Sequence, residues 1–102
     1  MLTIEKIIIN ENTVISATWF SEDRGLENLT IEGTIGQNNF SVKDCKKLNV
    51  ESLLSILTAL SKNVSGKSIT FSTVHKDIIE TDAQCLEQYN LAINAGWTIA
   101  YA

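Results

Sequence analysis

The first third of the chain alternates apolar and polar residues, and the rest switches to a helical period. Leu29, Ile31, Gly33 and Ile35 alternate with Thr30, Glu32 and Thr34, the clearest period-two segment. Side chains two apart share one face of a strand, so this spacing predicts a half-buried strand. Upstream, Ile4, Ile7, Ile8 and Ile9 form a β-branched run, and Asn10-Glu11-Asn12 is turn chemistry. Thr13 to Phe20 reads as a further strand, with Ile15, Ala17 and Trp19 on one face. Ser21 to Gly25 is a loop, and Gly36-Gln37-Asn38-Asn39 turns the chain into a short strand at Phe40–Val42. Short links suit antiparallel neighbours, so residues 1–37 are expected to form an antiparallel β part.

From Asn49 the period changes. Val50, Leu53, Leu54, Leu57 and Leu60 recur at i, i+3, i+4 and i+7, one apolar stripe that Ile56 widens. Asn49 is a good N-cap, and Glu51 suits the positive end of a helix dipole. Asn63 to Gly66 should end this helix, and Ser68 to Ser72 should be a strand with Ile69 and Phe71 on one face. Thr81-Asp82-Ala83-Gln84 carries a capping-box signature, which predicts a second helix capped by Thr81. Leu86, Tyr89 and Ile93 make its stripe, Gly96 stops it, and Trp97–Tyr101 is a closing strand.

These segments repeat. Gly66-Lys67-Ser68-Ile69-Thr70-Phe71 aligns with Gly96-Trp97-Thr98-Ile99-Ala100-Tyr101, and Phe40, Ile69 and Ile99 fall 29 and 30 residues apart. Leu53, Ile56, Ala59 and Leu60 likewise match Leu86, Tyr89, Ala92 and Ile93. A strand plus helix at this period is leucine-rich-repeat geometry, in which strands stack in parallel with helices on one side. The alternative is a plain α+β domain. Its two helix–strand pairs would look alike because each needs a cap, a stripe and a glycine.

The residues that carry the repeat also resemble a family. Phe40-x-Val42-x-x-Cys45-x-x-Leu48, the Ile56-Leu57-x-Ala59-Leu60 helix, and Asn94-Ala95-Gly96-Trp97-Thr98-Ile99-Ala100 resemble the terminal repeats of BspA-type leucine-rich-repeat proteins. The resemblance covers residues 38–102. Such repeats occur in bacterial surface proteins and in structural proteins of bacteriophages. It implies a non-enzymatic component of a phage or prophage particle, associated with the tail or virion. The alternative is a small phage- or mobile-element-encoded inhibitor that binds a host enzyme. Residues 1–36 match no pattern of the family.

Composition narrows the partners. The 102 residues fit one domain, of which 1–37 would be the β part and 38–102 the repeat part. With a formal net charge of −4 and no cluster of Lys and Arg, the chain is not expected to bind nucleic acid or an anionic membrane. No apolar run approaches the roughly 20 residues of a membrane span, and no signal peptide is read at the N-terminus. The expected location is therefore a virion or the host cytoplasm.

Candidate chemistry is thin. Cys45, His75 and Asp77 are the residue types of a thiol triad, but no nucleophile motif surrounds Cys45. Its place at a turn predicts a buried cysteine that packs as a small hydrophobe. One histidine and two scattered cysteines lack metal-ligand spacing, and no glycine-rich phosphate loop is present. No catalytic residue, cofactor or metal is expected. Protein contact is. Ser41, Thr70 and Ala100, flanked by Ser68, Ser72 and Thr98, should face an open sheet surface of small side chains. Trp97 stands where the preceding unit has Lys67, and core and interface are both open to it. The chain reaches Ala102 one residue past the last strand, with no charge or proline from Gly96 on. The edge formed by Trp97, Thr98, Ile99, Ala100 and Tyr101 is therefore expected to dock on a second copy or another protein, within an oligomer or larger assembly.

Overall fold

The computed structural model describes residues 4–9, 27–36, 38–61 and 66–102. It is an α+β domain with the order β1 (Ile4–Ile9), β2 (Asn28–Gly33), β3 (Phe40–Ser41), α1 (Val50–Ala59), β4 (Lys67–Phe71), α2 (Thr73–Thr81), α3 (Ala83–Ala95) and β5 (Trp97–Tyr101). The turn expected at Asn10–Asn12, the strand at Thr13–Phe20 with Trp19, the loop at Ser21–Gly25 and the link at Asn63–Ser65 lie outside the described residues.

Two parallel sheets organise these elements. β3, β4 and β5 lie side by side in that order. Phe40 is opposite Ile69, and Ile69 is opposite Ile99. The 29- and 30-residue spacing is thus the register of the sheet, and Gly66 and Gly96 fall level with each other, the Gly66 N–H donating to Gly96 O at 3.3 Å. β1 and β2 pair from Ile4 opposite Asn28 to Ile9 opposite Gly33. They run parallel, which corrects the antiparallel arrangement expected for residues 1–37. Short turns suggested hairpins, yet the segment between Ile9 and Asn28 exceeds the dozen residues that a parallel crossover needs.

The core runs from β2 to β5 as one cluster, with Leu29, Phe40, Leu53, Ile56, Ile69 and Phe71 at its centre. Most of the expected α1 stripe packs: Leu53, Ile56, Leu57 and Leu60 are buried and Leu54 partly so, but Val50, at the start of the helix, is exposed. β2 stops at Gly33, whose φ of 113° takes the left-handed region that glycine tolerates. Beyond it, Ile35 makes a single parallel bridge to Leu60.

Two parts of the helical reading are corrected. The stretch Thr73–Thr81 is a helix that the apolar pattern did not show, because it buries only His75 and Ile79. It therefore runs through the residue expected to cap the next helix. Asp82 is the N-cap of α3 instead, accepting from the Cys85 N–H at 3.0 Å. Thr81 closes α2, its hydroxyl donating to Asp77 O at 2.6 Å. The inner face of α3 is also rotated from the expected stripe: Cys85 and Ala92 are buried, Tyr89 packs against the core, and Ile93 is 40 % exposed.

Candidate interface at the sheet edge

β5 forms one side of the three-stranded sheet, and its two edges are chemically distinct. The Ala102 N–H donates to Phe71 O at 2.9 Å, and the Thr73 N–H donates to Ala102 O at 3.3 Å. Ala102 therefore turns both its backbone groups toward β4 and the chain that follows it. Backbone groups alternate sides along a strand, so Thr98 and Ala100 face β4 as Ala102 does. The N–H and C=O groups of Trp97, Ile99 and Tyr101 face away from it. Among the described residues no strand pairs with that outer edge. From Gly96 to Ala102 it has neither charge nor proline, the two commonest devices that keep an edge from pairing.

The side chains sort onto two faces. Trp97, Ile99 and Tyr101 turn toward the helices, while Thr98 and Ala100 are exposed on the open face. Trp97 is buried, and its indole Nε1–H donates to Ser61 O at 2.7 Å. Its ring is part of the core, and only its backbone belongs to the edge. Ser41 and Thr70 are half-buried on the open face. Ser68 joins them and is held from the preceding turn, its N–H donating to Asn38 Oδ1 at 2.8 Å. Ser72, expected on this surface, is instead fully buried as the cap of α2.

Tyr101 closes the strand. Its ring lies 6.4 Å from that of Phe71, and Lys76 Nζ sits 5.9 Å above it. The hydroxyl is buried and has no hydrogen-bond partner among the described residues. Burial, with smaller contributions from Tyr89 and Glu80, pushes its pKa up to about 12.

The residues of the conceivable triad are engaged in structure. Cys45 is buried at the turn after β3 with Val42 and Leu48, where the Cys45 N–H donates to Val42 O and the Leu48 N–H to Cys45 O. His75 reaches the Cys45 carbonyl rather than its thiol, through Nε2 at 3.0 Å. Its Nδ1 accepts from the Ser72 N–H at 3.1 Å, so the ring is the neutral Nε2–H tautomer. Asp77 is exposed on α2. Cys85 is buried, and burial first, then Asp82, raises its thiol pKa to about 12. Among the described residues no three His, Cys, Asp or Glu side chains converge as metal ligands. No helix among them is long and apolar enough to cross a membrane.

The sequence pattern missed Ser52 and Ser55. Their hydroxyls, on α1, accept from the Leu29 and Ile31 N–H groups of β2 at 2.8 and 2.9 Å. One edge of β2 is thus satisfied by a helix instead of a strand.

No family model matches the chain, and no solved structure does. Among curated proteins, a RhoGEF domain-containing protein of Dictyostelium discoideum, gxcI, is 32 % identical over 98 residues. The match covers 86 % of this chain and 9 % of the Dictyostelium protein. The chain therefore spans under a tenth of the length of the relative it matches.

Proposed function

We propose that this chain is a non-catalytic protein-interaction module that receives an extended segment of a partner along the outer edge of β5. The observation that carries this reading is the row of outward backbone groups at Trp97, Ile99 and Tyr101, on a strand without charge or proline. Strand addition to such an edge takes its affinity from main-chain hydrogen bonds and its selectivity from alternate side-chain positions. Here those are the half-buried Ile99 and Tyr101 on one face, and Thr98 and Ala100 on the other. The common register of β3, β4 and β5 supports a leucine-rich-repeat-like stack, in which each strand is the template for the next. A matched segment that fills a small part of a much longer RhoGEF domain-containing protein suits an interaction module. A place in a phage particle, or inhibition of a host enzyme, would be special cases of this reading that rest on the family resemblance.

Two proline variants test it. Proline removes the N–H and blocks pairing on the side its nitrogen faces. Ile99→Pro acts on the outer edge and should fold, losing only the packing of its half-buried side chain. Thr98→Pro deletes a donor to β4 and should destabilise the domain. Peptides selected on the wild-type protein by display should protect the amides of Trp97, Ile99 and Tyr101 from hydrogen exchange and lose binding to Ile99→Pro. Selected peptides that bind a folded Ile99→Pro as well as wild type would refute docking at this edge.

A further inference from the structure

His75 is fully buried and bonded at both ring nitrogens to backbone of two different segments. Nε2–H donates to Cys45 O in the turn after β3, and Nδ1 accepts from the Ser72 N–H at the start of α2. The ring is held edge-on to Phe71 of β4, with centroids 6.0 Å apart and planes at 83°. In return the Ser72 hydroxyl accepts from the Val74 N–H at 3.3 Å. The arrangement is a capping box in which histidine takes the place usually held by Glu or Gln. The exchange matters because imidazole can gain a proton at the very atom that accepts the bond.

We propose that His75 is a proton-operated clasp, whose protonation at Nδ1 releases the Ser72 amide and opens the corner where α2, the Cys45 turn and the end of β5 meet. A protonated Nδ1 carries a hydrogen toward the Ser72 N–H, so two donors face each other and the bond is lost. The first turn of α2 then loses half of its cap. Thr73, the next residue, is the donor that holds Ala102 O at the end of β5, so loss of that turn loosens the strand end too. Among the described residues, the ring's bonded and stacked partners, the Cys45 carbonyl, the Ser72 N–H and Phe71, carry no charge. The charged residues adjacent in sequence are Asp44 and Lys46, on either side of Cys45, and Lys76 and Asp77, which follow His75. Lys46, Lys76 and Asp77 are exposed, and Asp44 is partly so.

The direction of the effect follows from proton binding. Burial lowers the His75 pKa below its usual 6.5, and the bond to Cys45 O opposes this only in part. The open state, with an ordinary histidine, therefore binds the proton more tightly than the closed state. The closed corner is fully favoured above about pH 6.5 and loses stability as pH falls from there to the closed-state pKa.

The chain has one histidine, so its ring resonances report the clasp without ambiguity. We expect the ring of the wild-type protein to titrate below 6.5. Over that range, protection factors of the Ser72 and Ala102 amides should fall about tenfold per pH unit, as one linked proton requires, and should stay well below that of the Leu29 amide, whose exchange needs the whole domain to open. His75→Gln keeps the capping-box acceptor without the titration and should remove this pH dependence. If His75→Gln does not fold, the wild-type titration and exchange decide alone. A midpoint at or above 6.5, protection at Ser72 that does not change with pH, or protection at Ser72 as high as at Leu29 would each overturn the proposal.

Discussion

Ser52 illustrates what one hydroxyl does in this fold. It accepts from the Leu29 N–H and has two acceptors for its own proton, Asn49 Oδ1 at 2.8 Å and Glu27 O at 3.3 Å. Both Ser52 and Leu29 are buried. Replacing Ser52 with Ala therefore strands a backbone donor away from water, a loss of about 1–3 kcal/mol. Ser55→Ala should cost less, because the bond it breaks is only part-buried. Urea unfolding of the two variants checks this order, and equal midpoints would mean that water replaces both hydroxyls equally well. The sequence held no signal for this role. Two serines three apart on the flank of an apolar stripe form no pattern of their own, and only the approach of β2 makes them acceptors. Cys45 was legible by contrast: a V-x-x-C-x-x-L run around a turn has one inward side, and all three residues lie on it.

At the scale of elements, the caps decide where helices begin. Asn49 and Asp82 both accept from the amide three residues on, and each should cost about 0.5–2 kcal/mol when changed to Ala. Asn49 also donates through Nδ2 to Asn28 Oδ1, so its loss should lie toward the upper end. Thr81→Ala should change stability little, because its hydroxyl bonds back within α2 where water serves as well. Thermal melts of the three variants test this, and a loss at Thr81 as large as at Asp82 would contradict the assigned cap. The capping-box signature Thr81-Asp82-Ala83-Gln84 pointed to Thr81, one residue before the true cap Asp82. The choice between the two is made by α2, which occupies Thr81 and was itself hard to see. A nine-residue helix that buries two side chains has no stripe, and its cap uses histidine where the usual signature has Glu or Gln. The strands were clearer in place than in direction. β2, β4 and β5 follow from alternation, but pairing direction depends on the long connection between β1 and β2, which alternation does not encode.

For the whole molecule, the single apolar cluster from Leu29 to Trp97 predicts one cooperative unit. The two cysteines can test this, since they sit in different parts of it. Cys45 is on the turn after β3, Cys85 is on α3, and neither side chain is exposed. The pKa of about 12 at Cys85 leaves roughly one thiol in 10⁴ ionised at pH 8. Reaction with a disulfide reagent then requires opening first. At pH 8 the proposed His75 clasp is not opened by protonation, so that route to Cys45 does not contribute. Both thiols should react at rates set by the same opening equilibrium, rising in parallel with urea at the slope of global unfolding. Single-cysteine variants, Cys45→Ala and Cys85→Ala, report each site, after correction for their own stabilities. A Cys45 that reacts in native buffer far faster than Cys85, with no dependence on urea, would show that β3 and its turn open apart from the helices. The parallel sheet would then be a row of loosely joined units rather than one folded body.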